Sequence, residues 1–169
     1  MPLTSRSDLN QPSSWDIMKI CTYRGLLIAV LTRNEHCPPH VHVGSAQWEA
    51  RFQFSYWHNG VRLWDVVPVQ RKPTVAILES LRQVLQKPKN LRRARECWWQ
   101  SMESICLVNQ WWDESTQEVI ASPEKRQSTK VIQAAHFDVP RYRTILQLKG
   151  PAALWRLSYD RRKSPAPFR

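Results

Sequence analysis

A chain of 169 residues is long enough for one good core plus a small satellite and too short for two full-sized domains. Hydrophobic residues at 42% and nine tryptophans exclude wholesale disorder, because chains that cannot collapse are poor in aromatic and β-branched residues. Twenty-five Lys and Arg against 14 Asp and Glu leave a net charge of +11, which suits an anionic partner, and the apolar run "GLLIAVL" is strand-sized, far short of a membrane span.

The first 14 residues are rich in Ser, Pro and Asn without periodicity and read as a disordered lead. "IMKICTYRGLLIAVLT" is apolar and β-rich, broken at Arg24-Gly25, and predicts two short strands. "NEHCPPHVHV", residues 34–43, follows as a proline turn into a strand. "QWEARFQFSYW" alternates, with Trp48, Ala50, Phe52, Phe54 and Tyr56 on one face and Gln47, Glu49, Arg51, Gln53 and Ser55 on the other. His58-Asn59-Gly60 supplies the Asn-Gly pair of a type I′ turn, and "VRLWDVV" returns as the hairpin partner.

From Thr74, Val75, Leu78, Leu81 and Leu85 predict an amphipathic helix that stops before Pro88. A longer helix starts near Asn90, lining up Leu91, Ala94, Trp98, Met102, Ile105, Val108 and Trp112. "DESTQEVIASPEKRQS", residues 114–128 with Asp113 before them, reads as a linker. "TKVIQAAHF", "RYRTILQLK" and "AALWRLSY" then predict three short strands, followed by a disordered basic tail over 160–169. The fold expected is α+β: an antiparallel sheet packed on two helices over residues 15–113, then a basic antiparallel β meander over 129–159.

His40 and His42 are two apart in a predicted strand, so both leave one face and can share a metal. His36, across Pro38-Pro39, offers a third nitrogen and Cys37 a soft fourth donor, which makes His36, His40 and His42 a candidate site for zinc or another divalent ion. The leading reading is instead that the histidines cap a proline turn and pack beside aromatics, with no cofactor at all. A hydrolytic version of the metal reading is a phosphodiesterase in which Arg33 or Arg51 holds the phosphate. The four cysteines show no C-x-x-C spacing, and with no apolar leader they predict reduced thiols in a cytoplasmic protein.

The turn "NEHCPPHVHV" followed by "WEARFQF", a short hairpin and "VPVQRKPTVAILESLRQVLQKPKNLRRARECWWQ" resembles the bacterial domain of unknown function 4160 family, over about residues 18–113. The residues that carry the resemblance are His36, Pro38, Pro39, His40, His42 and Trp98 or Trp99. It implies a small bacterial protein of a toxin–antitoxin or mobile-element module, with no reaction attached. The C-terminal strands faintly resemble the domain of unknown function 2442 family, as if the two were fused.

Charge is densest toward the C-terminus: residues 1–113 hold 14 basic against 9 acidic residues, residues 114–169 hold 11 against 5. Arg141, Arg143, Gln147 and Lys149 alternate with Tyr142, Leu146 and Leu148, so one strand face is cationic, and Arg156 extends it. Arg92, Arg93 and Arg95 form a second cluster in the first turn of the long helix, where the macrodipole disfavours them. In the pairs Trp98-Trp99 and Trp111-Trp112 the helical offset lets one ring of each enter the core, leaving Trp99 and Trp111 for a partner or for stacking on bases. These positions predict an accessory or regulatory protein that binds nucleic acid or a protein partner through basic surfaces.

Overall fold

The computed structural model describes residues 17–121 and 128–149, together with the backbone of 154–160. The expected lead over 1–14, part of the expected linker and nearly all of the expected tail lie outside the described residues. The architecture is α+β. The first sheet is an antiparallel meander in the order β1-β2-β3-β4-β5: β1 (Ile17–Tyr23), β2 (Leu26–Leu31), β3 (His40–Gly44), β4 (Glu49–Phe54) and β5 (Val61–Val67). β4 obeys its alternation, with Ala50, Phe52, Phe54 and then Tyr56 buried, and Val41 and Val43 of β3 join them because they stand opposite Phe52 and Ala50.

Turn chemistry differs from expectation. Tyr23 pairs with Leu26, so Arg24-Gly25 is the two-residue hairpin loop, and both have positive φ, 48° and 79°, as a type I′ turn requires. A Cβ on Gly25 would meet nothing within 4 Å, so backbone conformation alone favours glycine there. At the predicted Asn-Gly turn, Phe54 pairs with Val61 and the loop spans residues 55–60. Neither Asn59 nor Gly60 has a positive φ; Arg95 instead ties the loop down from behind, donating to the His58 carbonyl at 2.8 Å. β4 and β5 also slip register at Arg51/Phe52, a bulge that sets Trp64 apart from the regular ladder.

Helix α1 (Val75–Gln86) starts at Thr74, whose hydroxyl accepts from the Ile77 amide, and buries Leu78, Leu81 and Leu85. Val75, expected inside, is 78% exposed. Helix α2 (Pro88–Met102) begins two residues earlier than predicted, with Pro88 in its first turn, a position where the missing N–H costs nothing. Asn90 is not its cap. Its side-chain amide donates to the Val84 carbonyl at 2.7 Å, satisfying the end of α1. The long helix expected as far as Trp112 stops at Met102, where Glu103 turns left-handed (φ 50°). Trp98 remains in the core, donating through Nε1 to the Ser104 carbonyl at 3.0 Å.

Trp111 and Trp112 therefore sit on a strand. The second sheet has the order β10-β9-β8-β6-β7, built from β6 (Trp111–Asp113), β7 (Glu118–Ile120), β8 (Thr129–Asp138), β9 (Arg143–Lys149) and β10 (Leu154–Asp160). The three predicted C-terminal strands form, and two short strands from the expected end of the core and start of the linker join them. The sheets share one core: the Phe137 ring meets Tyr56 at 4.9 Å, Trp112 meets Trp57 at 4.6 Å, and Thr144 donates to the Tyr56 carbonyl at 2.6 Å. No described helix is long and apolar enough to cross a membrane.

Candidate metal centre

β3 places His40 and His42 opposite Gln53 and Arg51, on the sheet face turned away from Val41 and Val43. The loop over residues 32–39 folds Glu35 onto that face. One Glu35 oxygen lies 2.9 Å from His40 Nε2, and the other lies 3.0 Å from His42 Nε2 while accepting the Leu31 amide at 3.1 Å. The Glu35 side chain is 2% exposed and that of His40 1%. Trp64 and Trp98 pack against the His40 ring, centroids 5.0 and 5.3 Å away.

The other ring nitrogens are fixed. His40 Nδ1 stands 2.8 Å from the Pro38 carbonyl, which can only accept, so this nitrogen carries the proton. His42 Nδ1 stands 3.0 Å from Glu49 Oε1, and an ionised carboxylate likewise makes it the donor. Both Nε2 atoms therefore converge on one carboxylate, and each presents either a second proton or a lone pair. His42 Nε2 is buried and makes no hydrogen bond, although Glu35 is near. The contact is an ion pair off the hydrogen-bond line.

Burial pulls the His42 imidazolium down, but the Glu35 and Glu49 carboxylates outweigh it and raise the group to about 9. Burial pushes Glu35 up, and the two histidines outweigh that, holding it at about 2. Glu49 is lowered, first by its hydrogen bond from His42. Without a metal, then, the cluster is a buried ion-paired network centred on His42.

Glu35, His40 and His42 each aim one ligand atom into a space where these atoms lie within 4.8 Å of one another. The 2.9 and 3.0 Å contacts run to the two different oxygens of Glu35, so a shared cation would enter by replacing these ion-pair contacts with bonds to the same three side chains. Two expected donors fall away. His36 is exposed and meets His40 edge-on at 5.6 Å, and Cys37 is joined to Cys106 in a disulfide across 69 residues, so this pair is not reduced as predicted. Sequence reasoning misses Glu35 because a lone glutamate in a loop carries no ligand spacing; the strand parity that groups Glu49 with Arg51 does point to His42's partner.

The predicted basic positions are dispersed in kind. Arg95 is 1% exposed and donates to Ser55 O, His58 O and Tyr142 Oη, so it is a core residue and not a partner contact. Arg92 is half-exposed, bonds Glu96 at 2.8 Å and lies 5.0 Å over the Tyr142 ring. Arg93 is exposed. Arg141, 70% exposed, pairs with Asp138, and Arg143 is partly buried, opposite Asp138 and Asp160. Lys149 is exposed at the far end of β9, about 20 Å along the strand from Arg143. Arg156 pairs with Gln147 in the ladder, and its side chain lies outside the described residues. Trp99 is partly buried against the His136 ring at 4.8 Å, and Trp111 is partly buried on β6. Tyr142 is the meeting point: two arginines of α2 reach it, and Arg141 and Arg143 flank it in sequence.

No family model matches this chain, and no curated protein or solved structure matches it either.

Proposed function

We propose that the protein binds a divalent transition-metal ion through Glu35, His40 and His42. The observation that carries this reading is the pinning of both Nδ1 atoms by oxygen acceptors while both Nε2 atoms face one carboxylate, the arrangement in which neighbouring groups orient imidazole ligands toward a metal. Two imidazoles and one carboxylate suit zinc or ferrous iron and leave coordination positions for water or a ligand. The nearby carboxylates are all engaged: Glu35 with both histidines, Glu49 with His42 and Asp65 with Arg51. That favours an accessory binding role over hydrolysis, in keeping with the toxin–antitoxin or mobile-element setting that the family resemblance implies. Elemental analysis of purified protein, beside Glu35→Gln, His40→Ala and His42→Ala, tests the centre. About one zinc or iron per wild-type chain, lost in the variants, is the expected result. A chain that neither retains nor takes up zinc, cobalt or manganese has no such centre, and phosphodiester hydrolysis by the metal-loaded protein overturns the accessory reading.

A second reading, binding of an anionic partner such as nucleic acid, is supported by the net charge of +11 and by the exposed Arg92, Arg93, Arg141 and Lys149. Neutralising phosphates there releases counterions. Arg141→Ala with Arg143→Ala should flatten the salt dependence of DNA or RNA binding by about one unit of slope for each phosphate no longer neutralised. Absence of binding at low salt removes this reading.

A further inference from the structure

We propose that the Cys37–Cys106 disulfide controls the metal centre, so that the protein holds its ion when oxidised and loses grip on it when a dithiol reduces the bridge. This rests on the metal reading above and adds its regulation.

The three donors are held unequally. His40 and His42 belong to β3, which is hydrogen-bonded on both sides, to β2 and β4. Glu35 rides on the loop over residues 32–39, between the end of β2 and the start of β3. Besides its contacts to the histidines, Glu35 is held by one amide, that of Leu31. Two residues on, Cys37 crosses to Cys106, in the segment that follows α2. That segment is itself well anchored: Ile105 and Leu107 are buried, and Ser104 accepts from Trp98, whose ring packs on His40. The bridge therefore fastens the loop that carries the carboxylate to a wall that already touches one of the histidines. Opening it frees the loop on the Glu35 side while β3 stays in its ladder.

The bond is also reachable. Cys37 is exposed and Cys106 partly buried, so an external thiolate meets the Cys37 sulfur first. Attack there forms a mixed disulfide and breaks the S–S bond; Cys106 leaves as a thiolate and takes a proton. The second thiol of the reductant then attacks the mixed disulfide, closing its own disulfide and releasing Cys37 as a thiol. Two electrons pass from the dithiol to the protein. The other two cysteines do not compete for this role, since Cys97 is buried and burial raises both Cys21 and Cys97 above the ordinary thiol range.

Titration of oxidised protein with Co(II) under nitrogen, followed by its visible absorbance, is compared with the same protein reduced by a phosphine and desalted, and with the double variant Cys37→Ser/Cys106→Ser. Expected is a Co(II) dissociation constant on the order of 10–100-fold weaker in both bridge-free forms, the loss typical when support for a ligand is removed, with far-UV circular dichroism unchanged. Equal affinity in oxidised and bridge-free forms overturns the control and leaves the metal centre standing. Tighter binding by reduced protein, with a thiolate-to-cobalt absorption band, overturns it too, because Cys37 then serves as a ligand. No cobalt binding by the oxidised protein removes the centre itself. If the double variant does not fold, reduced wild-type protein carries the comparison; if that also unfolds, the bridge supports the whole fold and the proposal fails.

Discussion

Arg95 donates hydrogen bonds to two backbone carbonyls of the loop before β5, to Asn59 and to Tyr142, and the Tyr56 hydroxyl donates back to the Arg95 carbonyl. A buried guanidinium so placed cannot be removed without orphaning several acceptors, each costing about 1–3 kcal/mol. Arg95→Ala should lower unfolding free energy by about 3 kcal/mol or more in urea melts, whereas Arg93→Ala, on the exposed side of the same helix, should stay within about 0.5 kcal/mol. Charge alone makes the three arginines of this cluster equivalent, and only helical phase separates them: Arg95 follows Leu91 by four residues and precedes Trp98 by three, on the buried stripe. The metal-free cluster makes a prediction in pH. His42 is raised from 6.5 to about 9, so its contribution to stability is complete below about pH 6.5 and disappears as pH rises through 9. Glu35 is lowered from 4.5 to about 2, so its contribution is complete above about pH 4.5 and disappears as pH falls toward 2. Chelator-treated protein should therefore show its highest Tm between about pH 4.5 and 6.5, and His42→Gln should flatten the alkaline side; an alkaline limb unchanged in that variant would count against the ion-paired network.

Helix α2 ends on a residue ill suited to end it. Glu103 sits at φ 50°, a conformation that costs side chains with a Cβ about 1–2 kcal/mol and glycine nothing. Glu103→Gly should stabilise the protein by about 0.5–1 kcal/mol, read as a rise in Tm with an unchanged denaturant slope; a fall would mean that the Glu103 side chain has a role its exposure hides. The same residue explains why apolar spacing makes α2 too long. Nothing in residues 103–110 carries the Gly or Pro punctuation that normally closes a helix, and Ile105, Val108 and Trp112 continue the helical spacing by coincidence while the chain turns at Glu103, Cys106 and Asn109, all with positive φ. Strands are more legible: β1 to β5 and β8 to β10 follow from alternation and β-rich runs, because period two is a local property of the residues involved. β6 and β7 have three residues each, too few for a period, and exist because β8 offers β6 a ladder and β6 in turn offers one to β7. At the candidate metal centre the histidine pair is legible for the same local reason, and Glu35 is not, since its place depends on how the loop folds back.

At the scale of the whole molecule, the two sheets pack against each other. Tyr56 and Trp57, just beyond β4, pack against Phe137 and Trp112, and the Trp57 indole donates to the Gln117 carbonyl at 3.1 Å. A chain cut after residue 113 loses Tyr142 beside Arg95, Phe137 and Thr144 beside Tyr56, and the Gln117 carbonyl that Trp57 bonds, so it should show no cooperative unfolding transition by circular dichroism, while the full chain unfolds in one; a fragment that melts cooperatively near the parent Tm would make the second sheet a separable module. The bulge between β4 and β5 acts at this scale as well. β5 is the outer strand of its sheet, with a row of backbone groups open to pairing by another chain, and such edges invite fibril growth when they are long, flat and regular. Here the extra residue at Trp64 breaks the ladder midway, and Arg62, Asp65 and the Pro68 that follows interrupt what remains. A second copy that tried to add itself as a sixth strand beside β5 would find hydrogen-bonding groups out of step over half the edge, so the residue that distorts this hairpin also makes this edge a poor template for pairing.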